Sequence, residues 1–108
     1  MNKLRVGICG WGNVATGLFK TLQTNSVEIK KRSNLEIEII AIGARRDNPK
    51  CDPGNVIIER DIFKIIDHDI DVIVELIGGV DVARDLILKA LNAKKHVVTA
   101  NKAVIFNH

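Results

Sequence analysis

Tyrosine is absent, and aromatic residues make up only 4% of the chain. RNA and single-strand DNA platforms stack bases on aromatic side chains, so this function class is set aside first. Charge of one sign is also scarce. The formal net charge is +3, with the basic residues scattered apart from Lys30-Lys31-Arg32 and Arg45-Arg46. No apolar run is long enough to cross a bilayer. The start, Met1-Asn2-Lys3-Leu4, lacks the long apolar segment of a signal peptide. The only cysteines are Cys9 and Cys51. Without an export signal they do not read as a disulfide framework, and a cytoplasmic location is expected. Cys9 reads as a small buried filler at the end of a strand. His68, His96 and His108 are isolated, so no metal site is expected. What remains, 108 residues at 46% hydrophobic and 27% charged, suits one globular domain over residues 1–108.

The elements alternate. Lys3–Cys9 reads as a buried strand. From Asn13, apolar residues at Val14, Leu18 and Leu22, with Ala15 and Phe19 beside them, have helical spacing. Asn25, Ser26, Ser33 and Asn34 bracket a polar, basic stretch that reads as a helix end plus a loop. Leu35–Ala44 is a second strand, half exposed where Glu36 and Glu38 alternate with Ile37 and Ile39, then continuously apolar. Arg45–Asn55 holds both prolines and Gly54, so it is loop. Val56-Ile57-Ile58 reads as a short strand, and Asp61–Ile66 as one or two helical turns. Asp71–Ile77 is a buried strand ended by Gly78-Gly79. Asp81–Ala93 is a helix with Ala83, Ile87, Ala90 and Leu91 on one face, and Lys94 and Lys95 suit its negative end. His96–Thr99 is the last strand. Alternation of this kind implies an α/β fold, a Rossmann-like doubly wound parallel sheet in the order 3-2-1-4-5. Such a domain normally continues beyond Val104-Ile105-Phe106, so the chain reads as truncated.

In a parallel α/β sheet, ligands collect at the carboxyl ends of the strands. The first such end is Cys9-Gly10-Trp11-Gly12-Asn13-Val14-Ala15-Thr16, a strand–turn–helix in the pattern of a dinucleotide-binding turn. Gly10 lets the chain turn sharply, and Gly12 lets backbone approach a pyrophosphate. The helix that follows offers free N–H groups to phosphate. Ala15 stands at the third glycine position, where helix–strand packing tolerates a methyl. The same turn also closes βα units that bind nothing. Trp11 is too large to be buried in the turn and is expected to project toward the cofactor mouth or an absent domain. After the second strand, where NAD binders carry an acidic residue, stand Arg45 and Arg46. Guanidinium groups suit a 2′-phosphate, which favours NADP, while Asp47 leaves NAD open. The alternative for the arginines is a solvated loop. Ile77-Gly78-Gly79 either passes beneath the nicotinamide ribose or is a plain strand-to-helix turn. Glu75, in an apolar strand, either points out of the sheet layer or accepts backbone N–H bonds. Thr99-Ala100-Asn101-Lys102 delivers an amide and an ammonium to the cofactor edge. Lys102 there can polarise a carbonyl or hydroxyl, or it is simply a surface lysine.

Three blocks carry a resemblance: Val6–Val14, Val74-Glu75-Leu76-Ile77-Gly78-Gly79, and Lys95-His96-Val97-Val98-Thr99-Ala100-Asn101-Lys102-Ala103. Together they resemble the nucleotide-binding region of homoserine dehydrogenase, in order and spacing, from end to end of the chain. Trp11 and Ala15 depart from the aliphatic residue and glycine usual there. The resemblance implies a NADP or NAD cofactor, and with the residue reading above the expected cofactor site is Cys9–Thr16, Arg45, Arg46, Ile77, Gly78, Gly79, Thr99, Asn101 and Lys102. It implies interconversion of aspartate 4-semialdehyde and homoserine, in threonine and methionine biosynthesis, with Lys102 as a catalytic lysine beside the cofactor that transfers a proton or orients the substrate; no nucleic-acid or membrane partner is expected from the composition. The family's substrate and dimerisation region lies beyond this point, so a homodimer is expected of the complete enzyme and no turnover of the short chain. Two alternatives stay open: another amino-acid-linked dehydrogenase such as aspartate dehydrogenase, and a non-catalytic nucleotide-binding module. An open reading frame running well past His108 excludes the latter.

Overall fold

The computed structural model describes residues 2–49, 51–77 and 81–99. Five parallel strands form one sheet in the order β3-β2-β1-β4-β5. They are β1 (Asn2–Cys9), β2 (Leu35–Gly43), β3 (Ile57–Glu59), β4 (Val72–Glu75) and β5 (His96–Thr99). Between them run α1 (Asn13–Thr24), α2 (Ser26–Ser33), a 3₁₀ helix (Ile62–Asp67) and α3 (Asp81–Asn92). The expected order and alternation are therefore present. Register aligns the carboxyl ends: Glu59 beside Gly43, Gly43 beside Cys9, Cys9 beside Glu75, and Glu75 beside Thr99. This edge carries the site. At the opposite edge, the Arg5 N–H donates to Asp71 Oδ2 at 2.9 Å, and bonds from Arg5 hold that carboxyl below its ordinary range.

Strand side chains alternate between two cores. Val6, Ile8 and Ile42 face Ala15 and Phe19 of α1; Cys9, Ala41 and Ile73 face Ile65, Ile70 and, on α3, Leu86 and Ala90.

Several local expectations are corrected. The basic stretch is not a loop: α2 forms there with no buried residue. Its support is local, which is why no apolar periodicity announced it. Glu28 pairs with Arg32 one turn on, three basic residues sit in the last turn, and Asn34, at φ 54°, closes the end. In α1 the buried residues are Ala15, Thr16 and Phe19, while Val14 is 67% exposed. Thr16 tolerates burial because its hydroxyl donates to the Gly12 carbonyl at 3.0 Å. In α3, Leu86 replaces Leu91 on the core face, and Leu91 is exposed. β3 begins one residue later than expected. The short helix is 3₁₀, capped by Asp61 accepting from the Phe63 N–H at 3.1 Å.

Candidate functional site

A cavity of about 500 Å³ opens at the carboxyl edge, above β1 and β2. Three segments wall it: Gly10-Trp11-Gly12, the loop from Arg45 to Pro49, and Leu76-Ile77. Gly43 and Ile62 complete the lining.

The two turn glycines serve different ends. Gly10 sits at φ +106°, and a Cβ there would lie 2.8 Å from the Leu76 carbonyl oxygen. Its N–H donates to the Gly43 carbonyl at 2.8 Å, while the Leu76 N–H donates to the Cys9 carbonyl at 2.9 Å. Gly10 is thus required by the fold. Gly12 has an ordinary φ of −91°, and a Cβ there would meet nothing within 4 Å. No contact with the described residues requires glycine at this position, and it lines the cavity. Gly12 is also the N-cap of α1, with no capping side-chain bond and no acidic residue in the first turn. The helix therefore presents its first N–H donors and positive end without an internal anion. Asn13 and Val14 are exposed on that turn, and Ala15 is buried beneath it, where the fingerprint places helix–strand packing.

Trp11 lines the cavity as expected, but it is buried where exposure was expected. Its indole is only 8% exposed and packs edge-on against Phe19, with ring centroids 5.3 Å apart. It shares a cluster with Ala44 and Cys51. The loop after β2 folds over the turn and supplies the apolar wall that the turn alone lacks. Asn48 ties the two together, its Nδ2 donating to the Trp11 carbonyl at 3.2 Å.

Arg45 and Arg46 line the cavity and are exposed, with no carboxylate partner among the described residues. Asp47 is engaged by Arg60, which also donates to the Ala44 carbonyl at 3.2 Å. Among the described lining residues Asp47 is the one carboxylate, and it is paired, so the unpaired charge along the lining is positive. Arg60, Asn48 and Ile62 do not stand out in the sequence as site residues, and Leu76 does so only within the Val74–Gly79 block. Arg60 and Asn48 act through contacts across the fold, which no local motif signals.

Cys9 is fully buried, and burial, reinforced by the neighbouring Glu75 carboxylate, pushes its thiol up to about 12. It is a packed thiol rather than a nucleophile, and its side chain does not line the cavity. Glu75 is buried and accepts hydrogen bonds, the second of its two expected arrangements. Thr99 ends β5, half-buried beside it. Ile77 lines the cavity; Gly78, Gly79, Asn101 and Lys102 lie outside the described residues.

A family model described as homoserine dehydrogenase, NAD binding domain, matches residues 10–108. The homoserine dehydrogenase of Pseudomonas aeruginosa is 51% identical over 109 residues, covering 100% of this chain and 25% of that protein. That of Methylobacillus glycogenes is 42% identical, covering 97% of this chain and 26% of its own length. The crystal structure of a homoserine dehydrogenase from Thiobacillus denitrificans superposes with a TM-score of 0.88 at 35% identity, over 98% of this chain and 25% of that one. The chain thus spans about a quarter of the length of the curated relatives it matches. Among the described residues, no helix is long and apolar enough to cross a membrane.

Proposed function

Because the chain belongs to the homoserine dehydrogenase NAD-binding domain family, we propose that residues 1–108 are the cofactor domain of an enzyme that interconverts aspartate 4-semialdehyde and homoserine with NADP. The observation that carries the cofactor assignment is the contrast between Gly10, which the fold needs, and Gly12, which lines the cavity and where a Cβ would meet none of the described residues. In this reading the uncapped start of α1 holds the pyrophosphate, with Gly12 giving it room to approach the backbone. Arg45 and Arg46 bind the 2′-phosphate, and the Arg60–Asp47 pair keeps a competing carboxylate away from it. Ile77, Gly78 and Gly79 underlie the nicotinamide ribose. The bound dinucleotide supplies or takes the hydride. Lys102 holds the substrate oxygen and moves its proton, and Thr99 and Asn101 orient that edge. The small-molecule substrate, a cytoplasmic setting and a homodimer belong to the complete enzyme in the same reading.

Cofactor choice tests the arginine pair. Arg45→Ala, and more strongly Arg45→Ala with Arg46→Ala, is expected to weaken NADPH more than NADH. A lost charge-assisted contact is worth roughly 1.5–3 kcal/mol. Calorimetric titration of parent and variants with both cofactors reads the difference. Equal losses for the two, or none for either, remove the arginines from phosphate recognition.

Trp11, the one tryptophan of the chain, reports on the same cavity because it lines it while packed against Phe19. Its emission overlaps the absorbance of reduced nicotinamide, so saturating NADPH is expected to quench it. Unchanged emission at a concentration shown by calorimetry to saturate would place the cofactor elsewhere.

A further inference from the structure

Glu75 has none of its surface exposed, and the chemistry above does not use it. It is the last residue of β4, in register with Cys9 of β1 and Thr99 of β5. Its Oε2 accepts the Ile77 N–H at 2.9 Å, and its Oε1 accepts the Thr99 hydroxyl at 3.0 Å. A buried carboxylate is costly unless bonded, whereas an aliphatic side chain could occupy a sheet core without that cost. Its two partners share a place. Ile77 lines the cavity where the chain leaves β4, and Thr99 is where it leaves β5. In the sequence, Gly78 follows Ile77, and Lys102 follows Thr99 after Ala100 and Asn101. One carboxylate therefore ties together the exits of two neighbouring strands at the edge assigned to the nicotinamide.

We propose that Glu75 is a positioning residue, which fixes the exits of β4 and β5 against each other and, through Thr99, sets where the segment carrying Lys102 begins. This inference rests on the role given to Lys102 above. It makes the geometry of the tie matter rather than the charge. In Glu75→Gln the amide oxygen still accepts the Ile77 N–H, and the amide nitrogen donates to Thr99 Oγ1 once that hydroxyl turns to accept. Glu75→Ala loses both bonds, and Thr99→Val loses one.

The test uses the full-length enzyme, with thermal melts to establish that each variant folds. Glu75→Ala is expected to lower kcat for homoserine oxidation by about 10- to 10²-fold, as misplacement of a reacting group does. KM for NADP should stay within about threefold, since ground-state binding is not what is lost. Glu75→Gln should retain most of the rate, and Thr99→Val should reproduce part of the loss even if the alanine variant fails to fold. Adding Lys102→Ala to Glu75→Ala should slow the enzyme no further than Lys102→Ala alone, because both act through one group. Amide exchange at Ile77 should speed up in Glu75→Ala and not in Glu75→Gln. Unchanged kcat in Glu75→Ala, a loss that adds fully to Lys102→Ala, or a glutamine variant as slow as the alanine one would overturn the proposal. If the parent does not oxidise homoserine, the functional reading fails instead, and exchange at Ile77 still decides whether Glu75 makes the tie.

Discussion

Gly12→Val is expected to abolish dinucleotide binding while the chain stays folded. The two halves of that result have separate causes. The fold survives because a Cβ at Gly12 meets no atom of the described residues within 4 Å, and its φ of −91° and ψ of −162° suit a β-branched residue. Binding fails because the added methyl groups stand in the cavity beside the first N–H donors of α1, where a pyrophosphate must approach backbone. Calorimetry with NADPH, beside circular dichroism and a thermal melt, separates the two. Gly10→Val is the contrasting control. At φ +106°, with the Leu76 carbonyl 2.8 Å from a Cβ, it is expected to lose stability first. Affinity in Gly12→Val equal to the parent's would remove the turn from the site.

The second large effect is expected at Lys102. In the full-length enzyme, Lys102→Ala should reduce kcat by about 10²–10⁴-fold, the range typical of general acid–base help. The reason is position along the chain: β5 ends at Thr99 on the carboxyl edge, and Lys102 follows Ala100 and Asn101. Lys102→Arg keeps the charge but spreads it over a planar fork of different reach, so it should also be slow. The 108-residue chain should not oxidise homoserine, since its relatives are about four times longer. NADP reduction followed by absorbance reads all four proteins. Near-parental kcat in Lys102→Ala would take the lysine out of the mechanism, and turnover by the short chain would place the substrate site within it.

The sheet was legible because its strands are short apolar runs with turn signals between them, and parallel strands buried on both faces leave that trace. Gly10 and Gly12 were legible as a pair, but the sequence does not separate their roles; Leu76, just past the end of the neighbouring β4, does. Contacts made at long range were hidden. The sequence places Asp47 beside Arg46, yet its partner is Arg60, on the far side of β3. Trp11 looked too large for its turn because the loop that covers it lies beyond β2. For Glu75 the sequence left two arrangements, and only strand register supplies Thr99 as a partner. α2 is hidden for the opposite reason: its ion pair, basic last turn and Asn34 cap are all local, but it buries nothing and so leaves no apolar periodicity in the sequence.

The central claim is that the cavity walled by Gly12, Arg45 and Ile77 is the dinucleotide site, and a crystal structure of the chain with NADPH tests it most directly. The account predicts the pyrophosphate over Gly12 at the start of α1, the 2′-phosphate against Arg45 and Arg46, and the nicotinamide beyond Ile77 toward the exits of β4 and β5. A dinucleotide bound at any other surface, or one lying in the cavity with its 2′-phosphate turned away from both arginines, would contradict it.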